Sequence, residues 1–160
     1  MENAPTRAAH HESELHAFER TLQADGLRAG LRYLNDRTPH RYTGVFRFDS
    51  DMLRSVALVD KWDRTVEYGD DVPLASAYCA HLYRTNEPLE VKDGRADNRI
   101  PSMAGSPVVS YCGAVILDLD GGPWGALCHF DTSPCDPKRS DMPLLIAVSA
   151  VIFREASASV

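Results

Sequence analysis

Four cysteines are the residues of this sequence best suited to covalent chemistry, and they occupy positions 79, 112, 128 and 135. A thiolate can act as a nucleophile, a redox group or a metal ligand. No two of these cysteines have the C-x-x-C spacing of a zinc site or of a thioredoxin-like dithiol. Three lie in apolar surroundings that are typical of a packed thiol, and Cys135 lies in a polar segment. We therefore expect reduced thiols with packing roles, and Cys79 is the candidate if the chain is a thiol enzyme.

Histidines offer a second kind of chemistry. His10, His11 and His16 cluster near the N-terminus, as metal-binding histidines do, but a solvated end of the chain explains the cluster more simply. His81 lies off the apolar stripe of an expected middle helix, where it either contacts a ligand or faces solvent. We predict no metal site and no cofactor.

A mixed-charge cluster follows the middle of the chain. An arginine fork suits a phosphate or carboxylate, so the cluster could bind a polar ligand such as a nucleotide or an amino-acid derivative. The same charges could instead pair with one another and keep a loop solvated. The sequence leaves both interpretations open for the five residues concerned: Asp93, Arg95, Asp97, Asn98 and Arg99. It contains no phosphate-binding glycine loop, G-x-S-x-G elbow or H-E-x-x-H helix, so no complete catalytic set is visible.

The elements that position these residues follow from apolar periodicity. Residues 1–9 lack it and are predicted to form a disordered tail. A helical stripe then extends to Thr38, because the following proline disfavours helix, and Gly26 is expected to break the stripe. The aromatic and β-branched residues of 42–62 predict a β-hairpin.

The second half of the chain also combines predicted helices with a predicted hairpin. A helix is predicted over 71–86 with Asp71 as its N-cap, followed by a short strand, 89–91, and a long polar connection. Residues 111–131 predict a second hairpin, and an amphipathic helix closes the chain with an apolar face of Leu144, Leu145, Val148, Val151 and Ile152. The order favours an α+β fold in a single domain over residues 10–158, with one antiparallel sheet of five to six strands covered by helices.

Composition narrows the classes of partner. The chain has 160 residues, of which 44% are hydrophobic and 25% charged, as in ordinary globular domains. A formal net charge of −6 disfavours nucleic-acid binding. No apolar stretch approaches the ~20 residues of a membrane-spanning helix. Residues 1–14 do not show the basic region followed by an apolar region that is typical of a signal peptide. We expect a cytoplasmic protein with no membrane partner.

Three stretches together resemble GAF domains: RYTGVFRFDSDMLRSVAL (41–58), PLASAYCAHLYRTNEPLEVKDGRAD (73–97) and SYCGAVILDLDGGPWGALCHFD (110–131). The resemblance covers nearly the whole chain and is to stand-alone bacterial members. It implies a central antiparallel sheet, terminal helices on one face that often pair two subunits, and a ligand pocket on the other face. The positions that it implies for the pocket are Tyr78, His81, Asp93, Arg95, Asp97, Asn98, Arg99, Ser110 and Tyr111.

Particular members of the family suggest alternatives. Free methionine-R-sulfoxide reductases are similar in length, and Cys79 falls near one of their cysteines, but the segments 62–72 and 97–109 contain no second cysteine. Cys128-His129 resembles the Cys-His pair to which a bilin is attached in some members. These two residues lie in a predicted strand, where neighbouring side chains point to opposite faces, so they could not hold a chromophore together. The N-K-F-D-E type signature of cyclic-nucleotide-binding members is not visible.

The sequence thus predicts a GAF module that senses an unknown small molecule or binds a protein in signal transduction, as a homodimer through its terminal helices. One alternative is a thiol enzyme similar to free methionine-R-sulfoxide reductase, acting through Cys79. Another is a degenerate scaffold, which would have no pocket large enough for a ligand.

Overall fold

The computed structural model describes residues 7–99, 106–136 and 141–160, with side chains from residue 12 onward. Five helices and six strands alternate along these ranges. They are, in chain order, α1 (Arg7–Asp25), α2 (Leu27–Asn35), β1 (Tyr42–Asp49), β2 (Met52–Asp60), β3 (Val72–Pro73), a 3-10 turn (Leu74–Ser76), α3 (Cys79–Thr85), β4 (Leu89–Val91), β5 (Ser110–Leu117), β6 (Pro123–Asp131), α4 (Met142–Ser149) and α5 (Phe153–Ala158).

The six strands form one sheet in the order β3-β2-β1-β6-β5-β4, and every neighbouring pair is antiparallel. This arrangement confirms the predicted α+β fold with a single antiparallel sheet. Two hairpins build its centre, β1–β2 and β5–β6, and a non-local pairing of β1 with β6 joins them. The turn of the second hairpin uses Gly121 at φ 83°, a conformation that favours glycine.

The central strands are buried on both faces because alternate side chains enter two separate cores. On one face, Val45 and Leu127 pack against the terminal helices α1, α2, α4 and α5. On the other, Phe46, Ala126 and Cys128 pack against the 3-10 turn and α3. The terminal helices therefore cover one face of the sheet. The 3-10 turn and the short helix α3 pack on the other face.

The first helices follow the predicted pattern. The stripe that was expected to break at Gly26 does so, with this glycine at φ 93° between α1 and α2. Helix α1 begins at Arg7, within the segment predicted to be a disordered tail, and residues 1–6 lie outside the described part. His16 is exposed, whereas the side chains of His10 and His11 are not described.

Two local predictions were wrong. Asp71 is not a helix N-cap: its carboxylate accepts hydrogen bonds from the Ser55 amide at 2.9 Å and from Arg54, because residues 72–73 pair with β2 and α3 begins only at Cys79. Val151 does not belong to the buried face of the last helix. It is 40% exposed, since a turn separates α4 from α5 there.

No helix within the described ranges is long and apolar enough to cross a membrane.

Candidate functional site

A pocket of about 830 Å³ lies on the face of the sheet opposite the terminal helices. Its floor is formed by β1, β2 and β6, and its walls are the segment after β2, the residues around the 3-10 turn and the end of the β4–β5 connection, which contributes Ser106 to Val108. Six aromatic rings line it: Tyr42, Phe46, Tyr68, Tyr78, Tyr111 and Phe130. A pocket is therefore present on the face of the sheet where the family resemblance implied one.

Several of these rings are stacked on one another. Tyr78 and Tyr111 lie nearly parallel, with ring centroids 5.2 Å apart, and Tyr42 lies against Phe130 at 5.1 Å. The Tyr78 hydroxyl donates a hydrogen bond to the Val108 carbonyl at 2.9 Å, which ties the β4–β5 connection to the helical side of the pocket. Such flat apolar surfaces suit a planar ligand.

Two thiols and a phenol meet in the wall of the pocket. Cys79 lies at the start of α3 and Cys128 in β6, and both residues line the cavity. The Cys79 sulfur is 3.1 Å from the Tyr111 hydroxyl oxygen. The Cys128 thiol, and after it the hydrogen bond with Tyr111, lower the pKa of Cys79 against the opposing effect of burial. Burial raises the pKa of Cys128 well above its ordinary value.

Two aspartates line the pocket, Asp60 and Asp70, and the buried one is already neutralised. Asp60 is 2% exposed and accepts two hydrogen bonds from the Arg41 guanidinium, at 2.9 and 2.8 Å. The hydrogen bonds from Arg41 are the main reason that the pKa of Asp60 is lowered. This pair contributes little net charge to the cavity, so the other polar lining groups, among them Ser76 and Thr132, are left to orient a ligand.

The structure divides the residues predicted to bind ligand into two groups. Tyr78 and Tyr111 line the pocket, whereas His81, Ser110 and the charged residues of 93–99 do not. The Ser110 hydroxyl donates to the Ser133 carbonyl at 2.7 Å. The binding roles of these residues stay predictions.

The charged cluster is held together by its own ion pairs. Arg95 binds both oxygens of Asp93 at 2.9 Å, and Arg99 binds Asp97 and the Glu90 carbonyl. Asn98 and both arginines are exposed. This arrangement matches the second of the two interpretations that the sequence left open, in which the charges pair with one another.

Sequence reasoning missed the part of the site that β1 and β6 build. Cys128 lies on the same face of β6 as Ala126 and Phe130. What the sequence did not reveal is that this face meets Cys79. The pairing of β1 with β6 and the packing of α3 on β6 are contacts between distant segments, for which local periodicity carries no signal.

A second buried polar cluster lies on the opposite face of the sheet. The rings of His40 and His129 stack with centroids 5.8 Å apart, and each ring has a threonine hydroxyl 2.6 Å from its Nδ1, from Thr38 and Thr43 respectively. Asn35 donates to the Thr43 hydroxyl at 2.9 Å. Burial lowers the pKa of His40 to about 4 and that of His129 to about 3. No group of three or more His, Cys, Asp or Glu side chains able to hold a metal occurs in the described part of the chain.

A family model for the GAF domain matches residues 14–152. The chain belongs to the GAF domain family. No curated protein matches this GAF domain in sequence.

Several solved structures resemble this one in fold. The GAF domain of an Acinetobacter phosphoenolpyruvate-protein phosphotransferase has a TM-score of 0.74 at 11% identity, covering 99% of this chain and 96% of that one. Free methionine-R-sulfoxide reductase from Neisseria meningitidis, in complex with its substrate, has a TM-score of 0.69 at 17% identity, covering 99% and 95%. The chromophore-binding domain of Stigmatella aurantiaca phytochrome P1 has a TM-score of 0.64 at 12% identity, covering 95% and 63%. At these identities the likeness concerns the fold alone.

Proposed function

We propose that this GAF domain is a sensor module that binds a small, planar and largely apolar molecule in its pocket and reports occupancy to a partner in a signalling pathway. The observation that carries the proposal is the cavity of about 830 Å³ lined by six aromatic rings. Its volume and apolar walls are those of small-molecule sites. Family membership supports a sensor or regulatory role in general. We place the module in the cytoplasm, where its pocket thiols stay reduced.

The pocket walls also support the chemical class of the ligand. Stacked pairs of rings offer flat contact surfaces, and a planar molecule that stacks on them gains dispersion contacts. Asp60 is committed to Arg41, and the other carboxylate that lines the pocket, that of Asp70, is exposed to solvent that screens its charge. A neutral aromatic or conjugated molecule with one or two polar groups fits this set of side chains best.

Binding of a neutral fluorescent probe, N-phenyl-1-naphthylamine, tests the proposal with a matched pair of variants. Ala77 lines the pocket, whereas Ala75 is exposed and lies outside it. Ala77→Phe fills part of the cavity and is expected to weaken saturable binding about tenfold, and Ala75→Phe is expected to leave it unchanged. Binding that both variants weaken equally, or no saturable binding at all, contradicts the proposal. The last result is the one that a ligand-free scaffold predicts.

We propose further that the module pairs with a second copy through its terminal helices. Ile146 on α4 and Val151 after it are 43% and 40% exposed, which supports an apolar contact on this side. Light scattering should give twice the 17.7 kDa chain mass, and the double variant Ile146→Glu/Val151→Glu should give a single chain. Leu119→Glu, at an exposed turn elsewhere, is the control and should stay dimeric. A monomeric unmodified protein at high concentration contradicts this part of the proposal.

A thiol-dependent reductase of free methionine-R-sulfoxide is the second candidate. One observation favours it: a second thiol, that of Cys128, lines the same pocket as Cys79, although the segments that the family resemblance indicated contain no second cysteine. Turnover of methionine-R-sulfoxide with a thiol reductant, abolished by Cys79→Ser, would establish it. Absence of turnover by the unmodified protein would eliminate it.

A further inference from the structure

Cys79 and Cys128 are brought to the same wall of the pocket by two elements that are distant in sequence. Helix α3, which begins at Cys79, packs on β5 and β6. Both cysteines also belong to one buried cluster with Tyr111. The residues are only 3% and 1% exposed, so a reagent reaches them through the cavity and not from the outer surface.

A glycine makes room for the phenol beside the two thiols. Gly113 lies opposite Cys128 in the β5–β6 register, and any Cβ on Gly113 would collide with the Tyr111 ring and hydroxyl. Because this position has no side chain, the ring lies across the strand and holds its hydroxyl 3.1 Å from the Cys79 sulfur. A hydroxyl in this place can donate a hydrogen bond to a thiolate on Cys79.

The two cysteines are not equivalent in their surroundings. The Tyr111 hydroxyl oxygen lies 3.1 Å from the Cys79 sulfur, and the Cys128 thiol and this hydroxyl both lower the pKa of Cys79. Burial and the nearby Cys79 raise the pKa of Cys128. Cys79 is therefore the stronger candidate for the attacking thiolate, and Cys128 is the candidate for the resolving thiol.

We propose that Cys79 and Cys128 form a redox-active dithiol, which a small hydroperoxide entering the pocket oxidises to a disulfide. The Cys79 thiolate attacks the terminal peroxide oxygen, the O–O bond breaks, and the departing alkoxide or hydroxide takes up the proton that Cys79 lost. It leaves as an alcohol, or as water when the oxidant is hydrogen peroxide. The Cys128 sulfur then attacks the resulting Cys79 sulfenic acid, the S–O bond breaks, and the hydroxide leaves as water with the Cys128 proton. The two thiols lose two electrons in total, and the peroxide gains them.

This proposal goes beyond ligand sensing and does not depend on which ligand the pocket binds. Both sulfurs belong to the same cavity wall, so the dithiol and the ligand share one space. A bound occupant should therefore slow oxidation, which would make the redox state of the pair responsive to occupancy.

Peptide mapping after treatment with hydrogen peroxide tests the proposal on the unmodified protein. Trypsin releases Cys79 in residues 65–84 and the other three cysteines in residues 100–138. A disulfide between these two peptides within one chain, reversed by dithiothreitol, is the expected product. The background variant Cys112→Ala/Cys135→Ser removes the other two thiols of the second peptide, so that the same linkage in this variant identifies Cys128.

Single substitutions assign the roles. Cys128→Ala should leave Cys79 as a sulfenic acid that dimedone captures, whereas Cys79→Ala should give no adduct on Cys128 and should slow oxidation by about tenfold or more. Tyr111→Phe keeps the ring and should shift the midpoint of the rate against pH upward without abolishing the disulfide. N-phenyl-1-naphthylamine should slow oxidation of the unmodified protein if it occupies the pocket.

Two results overturn the proposal. One is a folded background variant that keeps both thiols in excess peroxide, and the other is a disulfide that forms only between chains. Failure of the dithiol alone would leave probe binding and its loss in Ala77→Phe unaffected, so the two proposals can fail separately.

Discussion

Two buried polar clusters lie on opposite faces of the same sheet, and they differ in what they can reach. Cys79, Tyr111 and Cys128 face a cavity and have access to small molecules through it. His40 and His129 are closed in by Thr38, Thr43 and the end of α2. Burial alone therefore does not identify a functional group. The cluster that borders the cavity is available for chemistry, and the enclosed one holds the fold together.

The largest effect is expected from acid, acting on the closed cluster. In the unfolded chain both imidazoles protonate near the ordinary pKa of 6.5, whereas in the fold the pKa of His40 is about 4 and that of His129 about 3. Below 6.5 the unfolded chain binds more protons, so stability falls as the pH falls. Between pH ~7.5 and ~5.0 the free energy of unfolding should drop by roughly 3 to 4 kcal/mol, measured by urea denaturation.

A matched pair of variants checks that this acid effect belongs to the buried rings. His129→Gln should lower stability near neutral pH and flatten the pH dependence, whereas His16→Asn alters an exposed side chain and should do neither. Equal pH dependence in all three proteins would show that the closed cluster is not responsible.

The next largest effect is expected from Thr43→Val. The substitution keeps the volume but removes the hydroxyl that Asn35 and His129 share. No water can replace it inside the closed cluster, and the cost should be about 2 kcal/mol of unfolding free energy. A change in unfolding free energy below about 0.5 kcal/mol would mean that other groups or water replace the lost hydrogen bonds, as they do at an exposed site.

The corresponding change in the open cluster should be milder. Tyr111→Phe removes the hydroxyl that contacts Cys79, but the site borders a cavity that admits water. We expect a loss of at most about 1 kcal/mol in the same denaturation assay. If Tyr111→Phe costs more than Thr43→Val, the contrast between open and closed clusters is wrong.

The smallest effect is expected in the charged connection. Arg95→Ala breaks an exposed ion pair with Asp93 and should change stability by less than about 0.5 kcal/mol. Because Arg95 does not line the pocket, the affinity for N-phenyl-1-naphthylamine should stay within about twofold. A tenfold loss of probe affinity would show that this segment contributes to ligand binding, as the family resemblance implied.

The fold could be predicted from the sequence because its signals are local. Alternating strands, the turn at Gly121 and the break at Gly26 are visible within a few residues each, and together they indicate one antiparallel sheet with helices. The start of α3 was missed because pairing of Val72 with Leu53 of β2 overrides a local helical pattern.

The site was predictable only in part. Tyr78 and Tyr111 were anticipated from the family resemblance, and both line the cavity. The meeting of Cys79 with Cys128 depends on how α3 packs on β6, and the stacking of His40 on His129 depends on the β1–β6 register. Both are contacts between distant segments, and neither spacing nor composition encodes them.

Amide chemical shifts recorded during titration with N-phenyl-1-naphthylamine test the central claim most directly. The account predicts that the shifts concentrate at pocket residues such as Val66, Ala77 and Val108, while the amides of α1 and α4 change little. Shifts centred on the terminal helices, or none at saturating probe, would contradict the claim that this GAF domain senses molecules through the aromatic cavity.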